Sequence, residues 1–473
     1  AARADEAGAA KAYAEAKLAG ETSLVAFFDR FPKGADLHNH LTGAVFAESY
    51  IEWAKEGGMC IDPVGYDFSA PPAGAPCQAP QVSVSDFLRQ GDGYETIVNA
   101  LSMRDGPLGG VKGHDHFFAA FAKFGAVAGD RFADSVARLE QRADRENVVH
   151  LELMATPDMG YGKKLAGRLT WSGDFRQMRA QLERAGLMQD VREAAKTLDR
   201  TMTGLGCRPN VATPKCPVTV GFLFQISRGA KLEDVFTKAV FGAELAKVSP
   251  WVYGINIVAP EDGQVALRDY AAHMQIIAFA DKDVHRALHA GELTVALVPP
   301  EDLQDHVRRA VEVAHAERIG HGSDIAWEKD APALMREMAQ KGVAVELALT
   351  SNQQILGLDA GSSPFRLYRR SGVPVVLATD DPGIERTTLS LEYAKAAGWF
   401  DLDYADFKKL SLDSLRYSFL PGAGIWEAGT NRPVDACRKD LSSPRCDAFV
   451  KENGKAGAER DLLRRFARFE AKF

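Results

Sequence analysis

The sequence predicts an α/β protein built as a closed (β/α)8 TIM barrel, and three observations favour this fold class. Eight short apolar segments alternate along the chain with longer amphipathic stretches. The short segments are apolar almost without interruption, which is typical of parallel strands that are covered by helices. Polar clusters follow several of them, and barrels of this kind assemble their active sites at the carboxyl ends of the strands.

The predicted elements follow one another in a regular order. The eight predicted strands are Ala35–Leu41, Val148–Ala155, Val218–Gln225, Trp251–Val258, Ala287–Gly291, Arg318–Gly322, Val343–Leu349 and Val373–Thr379. Helical patterns between them include Phe117–Asn147, Leu232–Val248 and Pro300–Ala316. The Ala-rich residues 1–30 predict an N-terminal helical extension of one or two helices, and residues 31–473 predict the barrel domain. An open doubly wound sheet is the alternative, but it would gather its ligands in one crevice.

Composition and charge exclude two classes of partner. The formal net charge of the 473 residues is -7, whereas a nucleic-acid surface needs clustered Lys and Arg to hold the phosphate backbone. No apolar stretch reaches the roughly 18 residues that a membrane-spanning helix requires. We therefore expect neither a nucleic-acid partner nor a membrane segment.

The six cysteines fall into three neighbouring pairs that predict disulfides. Each pair brackets a polar or Pro/Gly-rich stretch, within or beside predicted insertions near residues 57–93, 187–217 and 421–450. Fifteen connectivities and a fully reduced state remain open, and sequential pairing is the preferred one. The pairs are Cys60 with Cys77, Cys207 with Cys216, and Cys437 with Cys446. Disulfides, and an N-terminus that suits signal cleavage or simple trimming, predict a periplasmic or secreted protein.

Three histidines and an aspartate at predicted strand ends suit one divalent metal ion. His38 and His40 are two residues apart in a strand, which places both side chains on the same face, and in a barrel that face is the interior. His289 ends the fifth predicted strand, and Asp380 follows the eighth. Such a ligand set, with one coordination position left open, is typical of catalytic zinc sites.

Three further polar residues neighbour those ligands and are candidates for moving protons. Glu292 follows His289 after two small residues. His321 lies between two glycines, and Asp381 directly follows Asp380. Each alone could be a buried histidine or a helix-capping aspartate. Together, at four strand ends, the polar clusters favour a metal-activated water that attacks a substrate carbon.

His114 and His116 form a His-Asp-His run that we rank low as a second metal site. They precede an aromatic stripe and are expected on a loop or at a helix start, with pocket lining as the better alternative to metal binding. The stripe is expected to be core, with one edge as an apolar gate over the site. It consists of Phe117, Phe118, Phe121 and Phe124.

The motifs together resemble the adenosine deaminase family. They are Pro-Lys-Gly-Ala-Asp-Leu-His-Asn-His-Leu-Thr-Gly-Ala at residues 32–44, His-Ala-Gly-Glu at 289–292, Arg-Ile-Gly-His-Gly at 318–322 and Thr-Asp-Asp-Pro at 379–382. Weaker similarity at 147–153, 254–261 and 418–421 extends the resemblance over roughly residues 32–421. Ser351-Asn352-Gln353 and the Pro-Lys-Gly-Ala start are most similar to the secreted, growth-factor-like branch of that family.

The resemblance implies a reaction and a cofactor. The substrate would be a purine nucleoside, adenosine or 2′-deoxyadenosine, which is hydrolysed to inosine or 2′-deoxyinosine and ammonia. The resemblance further implies that one zinc ion (Zn2+) per chain is held by His38, His40, His289 and Asp380. Glu292 would protonate the purine ring nitrogen, and His321 would take a proton from the attacking water or orient it. Asp381 would hydrogen-bond the imidazole side of the purine.

Some residues at the expected substrate site differ from those of the family. Thr42 stands where relatives have an acidic residue for the ribose, and Ala259 stands where they have a glycine whose amide meets the purine. Met154 replaces an arginine that many relatives carry. These changes leave the groups that would perform deamination in place, with Thr42, Ala259 and Asp381 as the expected substrate contacts. They leave the sugar specificity open.

Several alternatives stay open. A deaminase of adenine, AMP or a modified nucleoside would use the same fold, although no clear phosphate-binding group favours AMP. An inactive secreted binding or signalling relative is disfavoured because every expected ligand and proton-handling residue is present. A binuclear amidohydrolase is disfavoured because residues 251–260 contain no lysine to bridge two metals. The oligomeric state is undetermined, with a homodimer among the alternatives.

Overall fold

Eight parallel strands form one sheet in chain order, as the sequence predicts. The computed structural model describes residues 2–72, 75–106, 110–427, 430 and 432–473. Each predicted strand is found within a few residues of its predicted bounds. The strands are β1 (Lys33–His40), β2 (Val148–Ala155), β3 (Thr219–Ser227), β4 (Val252–Val258), β5 (His285–Ala290), β6 (Arg318–His321), β7 (Ala344–Leu347) and β8 (Val375–Leu377).

The chain just beyond β8 meets β1 and closes the barrel, so the open doubly wound alternative is wrong. Asn39 and Asp380 form a parallel bridge across the seam. The amide of His40 donates to the carbonyl of Asp380 at 2.8 Å, and the amide of Asp380 donates to the carbonyl of His38 at 2.8 Å. Closure therefore joins two of the sequence-predicted metal-binding segments directly through their backbones.

Helices surround the sheet, and the chain also forms short 3-10 turns and a small second sheet. Helix Leu232–Val248 has the predicted bounds. The other α-helices are Ala2–Ala19, Glu21–Arg30, Ala47–Glu56, Val84–Phe87, Gly93–Ala100, Gly110–Ala128, Phe132–Arg145, Tyr161–Ala166, Phe175–Arg184, Leu187–Gly204, Gln264–Ala280, His306–Glu312, Ala331–Lys341, Leu349–Leu356, Phe365–Arg370, Pro382–Glu385, Leu389–Trp399, Tyr404–Arg416, Pro444–Glu452 and Gly454–Glu470. Single 3-10 turns are Met103–Asp105, Pro300–Leu303 and Ile325–Trp327, and a small antiparallel sheet consists of Cys60–Ile61, Phe68–Ser69 and Val82–Ser83.

Two predicted helices are interrupted. The pattern Phe117–Asn147 belongs to two helices, Gly110–Ala128 and Phe132–Arg145, because the Gly129-Asp130 turn separates them. The pattern Pro300–Ala316 is a 3-10 turn followed by the short helix His306–Glu312. The two helices on either side of Gly129 pack on the same core, whereas Leu303 of the 3-10 turn packs in a small separate cluster with Leu293 and Val298.

The N-terminal extension consists of two helices that turn at Gly20, whose φ is 101°. Glycine suits this left-handed backbone because it has no Cβ. The buried Tyr13 donates from its hydroxyl to the carbonyl of Leu402 at 2.8 Å, and its ring packs on Phe28. Lys33 at the start of β1 donates to the carbonyl of Phe28 at 2.6 Å. The extension is therefore anchored to the barrel and fixes where β1 begins.

All three predicted disulfides are formed with sequential pairing. They join Cys60 to Cys77, Cys207 to Cys216 and Cys437 to Cys446, with Cα atoms 5.7, 5.0 and 4.6 Å apart. Such bonds persist in oxidising compartments and are rare where thiols are kept reduced. None of the helices in the described ranges is long and apolar enough to cross a lipid bilayer.

Reduction of the native protein is expected to lower its melting temperature. Each disulfide closes a short loop and restricts the unfolded chain, which contributes about 2–4 kcal/mol per bond to the free energy of unfolding. Calorimetry with and without a reductant measures the effect, and a thiol count on the unreduced protein provides the control. Six free thiols in the native protein would contradict both the disulfides and the inferred oxidising compartment.

Candidate metal centre and pocket

The four predicted metal ligands converge at the carboxyl end of the barrel. The Nε2 atoms of His38 and His40 each lie 3.1 Å from Nε2 of His289. Oδ1 of Asp380 lies 3.3 Å from Nε2 of His38 and 3.3 Å from Nε2 of His40. All four side chains are buried. Three imidazole nitrogens and a carboxylate oxygen that face one another in this way form a coordination site for a cation.

The other ring nitrogen of each histidine has its own acceptor. Nδ1 of His38 donates to the Glu346 carboxylate at 2.7 Å. Nδ1 of His40 donates to Gln225 at 2.7 Å, and Nδ1 of His289 donates to Asn256 at 2.9 Å. Because these bonds place the protons on Nδ1, every Nε2 keeps its lone pair for a metal. The donor set therefore fits a resident divalent metal ion.

A buried chain of ion pairs holds Glu346, which contacts the predicted ligand His38. Arg318 donates from Nε to Glu346 at 2.5 Å and from Nη2 to Glu152 at 2.6 Å. All three side chains are 1% exposed or less. The Arg318 guanidinium also lies 3.8 Å from the ring centre of Phe419. Contacts of this kind fix the orientation of Glu346, so that it can orient His38.

Gly320 provides the space that His38 needs. A Cβ atom at this position would lie 2.5 Å from Cε1 and 2.9 Å from Nδ1 of His38. We expect Gly320→Ala to displace the ring from Glu346 and to weaken metal binding by about 10–100-fold, the range that disturbed outer-shell contacts cost. Metal titration of the apoprotein measures this loss.

Gly398→Ala is the matched control for that variant. A Cβ atom there would meet nothing within 4 Å, and the residue lies in helix Leu389–Trp399. Alanine is favoured over glycine inside a helix, so metal affinity should stay at the wild-type value and stability should not fall. Equal metal affinity in the two variants would show that metal binding does not depend on the space that Gly320 leaves for His38.

Three predicted site residues adopt left-handed backbone conformations. The φ angles of Ala259, His321 and Asp380 are 86°, 66° and 73°. Residues with a Cβ seldom adopt this region, and the cost is held at functional sites by the surrounding structure. The turn at Asp380 explains how two adjacent carboxylates serve one site: Asp380 contacts the histidines, while Asp381 lines the cavity.

Glu292 is positioned through its backbone. Its amide and that of Gly291 donate to the two carboxylate oxygens of Glu261, at 2.9 and 3.2 Å. Glu261 is held in turn by Arg228 at 3.3 Å and by Nδ1 of His306 at 2.6 Å. Burial alone would raise the pKa of Glu261, but Arg228 lowers it to about 2. An ionised Glu261 therefore anchors the turn that carries Glu292.

The candidate proton-handling groups lie side by side. Nε2 of His321 is 3.7 Å from Oε1 of Glu292 and 3.7 Å from Oδ2 of Asp380. Within the described residues, this buried Nε2 has no hydrogen-bond partner, whereas Nδ1 contacts Asn352 at 3.1 Å. Burial raises the pKa of Glu292 well above its usual value, and the nearby Asp380 adds to the rise. Burial lowers the pKa of His321.

The side chain of Asp381 lies directly against Gly43. A Cβ at Gly43 would lie 1.5 Å from Oδ1 of Asp381, so only glycine admits this carboxylate. Oδ1 is buried and unpartnered among the described residues, and burial raises the pKa of Asp381 well above its usual value. An unpaired carboxyl group aimed at a cavity is suited to hydrogen-bond a ligand.

A cavity of about 310 Å³ opens from these groups. All three predicted substrate contacts, Thr42, Ala259 and Asp381, lie in its wall. His38 and His321 lie outside the cavity wall. The complete lining is His40, Thr42, Phe117, Phe118, Phe121, Gln225, Val258, Ala259, Pro260, His289, Glu292, Asp380 and Asp381. Phe117 and Phe124 of the aromatic stripe belong to the buried core, and Phe117, Phe118 and Phe121 line the cavity.

His114 and His116 lie near the start of helix Gly110–Ala128, as predicted. Nε2 of His114 contacts Asp262 at 3.0 Å. Nε2 of His116 donates to the carbonyl of Ser102 at 3.0 Å. Among the described residues, neither belongs to a group of converging metal-binding side chains.

Sequence reasoning assigned no role to the residues that orient the ligands. Gln225, Asn256 and Glu346 lie in the barrel strands and contact the three histidines. Arg228 and Glu261 follow strand ends and were also missed. The usable signal was a single polar residue inside an apolar strand, because such a side chain points into the barrel interior and needs a partner there.

The fold and the donor set define the class of this protein: a (β/α)8 barrel with a candidate metal site at the carboxyl ends of its strands. The family model described as adenosine deaminase matches residues 112–424. That range is well over half of the chain, and the chain belongs to the adenosine deaminase family. The segment with His38 and His40 lies upstream of the matched range. Membership in the secreted, growth-factor-like branch stays a prediction.

Individual relatives differ in the substrates that they are named for. The chain is 31% identical over 34% of its length to an adenosine deaminase of Xenopus tropicalis, covering 42% of that protein. It is 37% identical over 29% of its length to an aminodeoxyfutalosine deaminase of Streptomyces avermitilis, covering 35% of that protein. The chain therefore spans less than two thirds of the length of these curated relatives.

A solved structure shares the fold. An adenine deaminase from Arthrobacter aurescens superimposes with a TM-score of 0.53 and 18% identity, over 82% of this chain and 94% of the other. At that identity the similarity supports the barrel architecture alone.

Proposed function

We propose that the protein is a zinc-dependent aminohydrolase that converts adenosine or 2′-deoxyadenosine into inosine or 2′-deoxyinosine and ammonia. The observation that carries the proposal is the grouping of Glu292 and Asp381 in the cavity wall with His321, 3.7 Å from Glu292, beside four candidate metal ligands. Family membership supports the same chemistry, because the relatives described above are named as deaminases.

Each residue of the group has one role in this proposal. Glu292 enters protonated, because its buried position favours the neutral acid, and donates its proton to the purine ring nitrogen beside the amino-bearing carbon. The free Nε2 of His321 accepts a proton from the attacking water or orients that water. Asp381 hydrogen-bonds the imidazole side of the purine. The amide of Ala259 remains as a backbone donor at the cavity wall.

Zinc is the metal that we propose, because three neutral imidazoles and one carboxylate suit it. His38, His40, His289 and Asp380 would hold this ion, which would activate a water molecule for attack at neutral pH. The outer contacts from Glu346, Gln225 and Asn256 hold the ligand rings in register for this ion.

The lining favours a neutral nucleoside over a nucleotide. No lysine or arginine is present among the described residues that line the cavity, and phosphate recognition relies on such cations or on a backbone nest. Adenine and modified adenine nucleosides remain the second candidates, since relatives of the same fold are named for adenine and aminodeoxyfutalosine. The disulfides support a periplasmic or secreted location for the reaction.

Loss of ultraviolet absorbance on incubation with adenosine, 2′-deoxyadenosine, adenine and AMP tests the proposal. We expect the zinc-loaded protein to deaminate a nucleoside and a chelator to abolish the reaction. Restoration by zinc after chelation is the control for irreversible damage. Zinc-loaded protein that leaves every adenine compound unchanged would contradict a deaminase function.

A further inference from the structure

The part of the cavity not assigned to metal or purine is almost wholly apolar. Phe117, Phe118 and Phe121 reach it from helix Gly110–Ala128, and Val258 and Pro260 reach it from the end of β4 and the residues that follow. A purine whose amino-bearing carbon lies at the metal places its sugar at the other end, because the sugar is attached to the far ring. In the orientation that the proposed deamination requires, the 5′ carbon would project away from the metal and towards this apolar wall.

Thr42 is a polar side chain of the described lining that is left at the sugar end of the cavity. The side-chain oxygen of Gln225 accepts from Nδ1 of His40 at 2.7 Å, which holds this amide beside a candidate metal ligand. The hydroxyl of Thr42 makes no hydrogen bond with any described residue, and its carbonyl already accepts from the Tyr50 hydroxyl at 2.7 Å. A ribose with several hydroxyls would therefore find a neutral partner here.

The charged pair His114 and Asp262 lies outside the lining and is already engaged in other contacts, so it is not available to hydrogen-bond the sugar. Nε2 of His114 contacts Asp262 at 3.0 Å, and its Nδ1 contacts Asp115 at 3.0 Å. The ring of His114 also packs against Phe118, with ring centres 4.7 Å apart. Neither His114 nor Asp262 lines the cavity, so the sugar does not reach a charged acceptor there.

We infer that the preferred substrates are adenine nucleosides whose 5′ carbon carries hydrogen or a small alkylthio group in place of the hydroxyl. This inference rests on the proposed deamination and specifies its substrate class. A 5′ hydroxyl loses its water partners in an apolar wall without replacement, whereas hydrogen loses nothing and an alkylthio group gains by burial. A 5′ phosphate brings two negative charges to the same wall and is the least favoured.

The test compares kcat/KM for adenosine, 5′-deoxyadenosine, 5′-methylthioadenosine and AMP on the zinc-loaded protein. We expect the two 5′-modified nucleosides to exceed adenosine by about tenfold, the scale that a small apolar group contributes in a pocket. AMP should fall below adenosine by about a hundredfold or more. Adenosine kcat/KM equal to or above that of 5′-deoxyadenosine overturns the inference. Zinc-loaded protein that turns over none of the four contradicts the proposed function instead.

A substitution at Thr42 provides a second, independent measurement. Thr42→Asp places a charged acceptor where the sugar lies, so the kcat/KM ratio of 5′-deoxyadenosine to adenosine should fall by about tenfold. Thr170→Asp makes the same change at an exposed position before helix Phe175–Arg184 and should leave the ratio unchanged. A folded, zinc-loaded Thr42→Asp variant with the wild-type ratio overturns the inference.

Discussion

Glu292→Gln is expected to keep its zinc and to lose deaminase turnover by about 10²–10⁴-fold, the range that a positioned general acid contributes. Glutamine preserves the shape of the side chain but cannot donate the proton that the purine ring nitrogen requires. Metal content should be unaffected because the four ligands do not include Glu292. Single-turnover kinetics on the zinc-loaded variant, with zinc measured by atomic emission, provide both readouts.

Glu452→Gln is the matched control for this variant. Glu452 is an exposed glutamate at the end of helix Pro444–Glu452, outside the cavity. Its substitution should change neither zinc content nor turnover. Wild-type turnover in Glu292→Gln would remove Glu292 from the proton-donor role, while zinc loss in that variant would show that it supports the metal centre.

His38→Ala is expected to lose its zinc, and its activity with it. The substitution removes one of four ligands and leaves the Glu346 carboxylate without its hydrogen bond to the ring. The fall in zinc affinity should exceed the roughly 10–100-fold that changes in outer-shell contacts cost. Zinc stoichiometry after dialysis against a weak chelator measures the effect.

His285→Ala controls for the loss of a histidine at the opposite end of the barrel. His285 begins β5, is exposed and pairs with Glu317 at 2.9 Å, far along the strand from His289. Because exposed ion pairs contribute little, this variant should keep its zinc and its activity. Unchanged zinc stoichiometry in His38→Ala would exclude His38 from the ligand set and require a different metal centre.

Much of the barrel was predictable because its signals are local. Each of the eight predicted strands is a short apolar run of five to eight residues. Such a run carries its own strand signal, as Val148–Ala155 shows. A helix can end at a single residue, and that residue does not interrupt the apolar pattern of the sequence. The turn at Gly129-Asp130 therefore divides a predicted helix without changing which residues face the core.

The candidate site was predictable to the same extent, and for a different reason. Metal ligands and proton-handling groups stand in short motifs such as His38-Asn39-His40, whose residue types allow few chemical uses. The residues that orient them occur singly. Glu346 lies 308 residues from His38 in the chain. No sequence pattern around either residue predicts that the two side chains are in contact.

The sequence by itself determined the fold class and the cysteine pairs, and it predicted the four candidate ligands and the three proton-handling candidates, because each depends on neighbours within a few residues. The tertiary structure alone decided which polar side chains orient the histidines, why Gly320 and Gly43 must lack a side chain, and how apolar the sugar end of the cavity is. Those properties depend on barrel closure, which aligns strands from distant parts of the chain in one register. Contacts across that register have no local pattern to predict them.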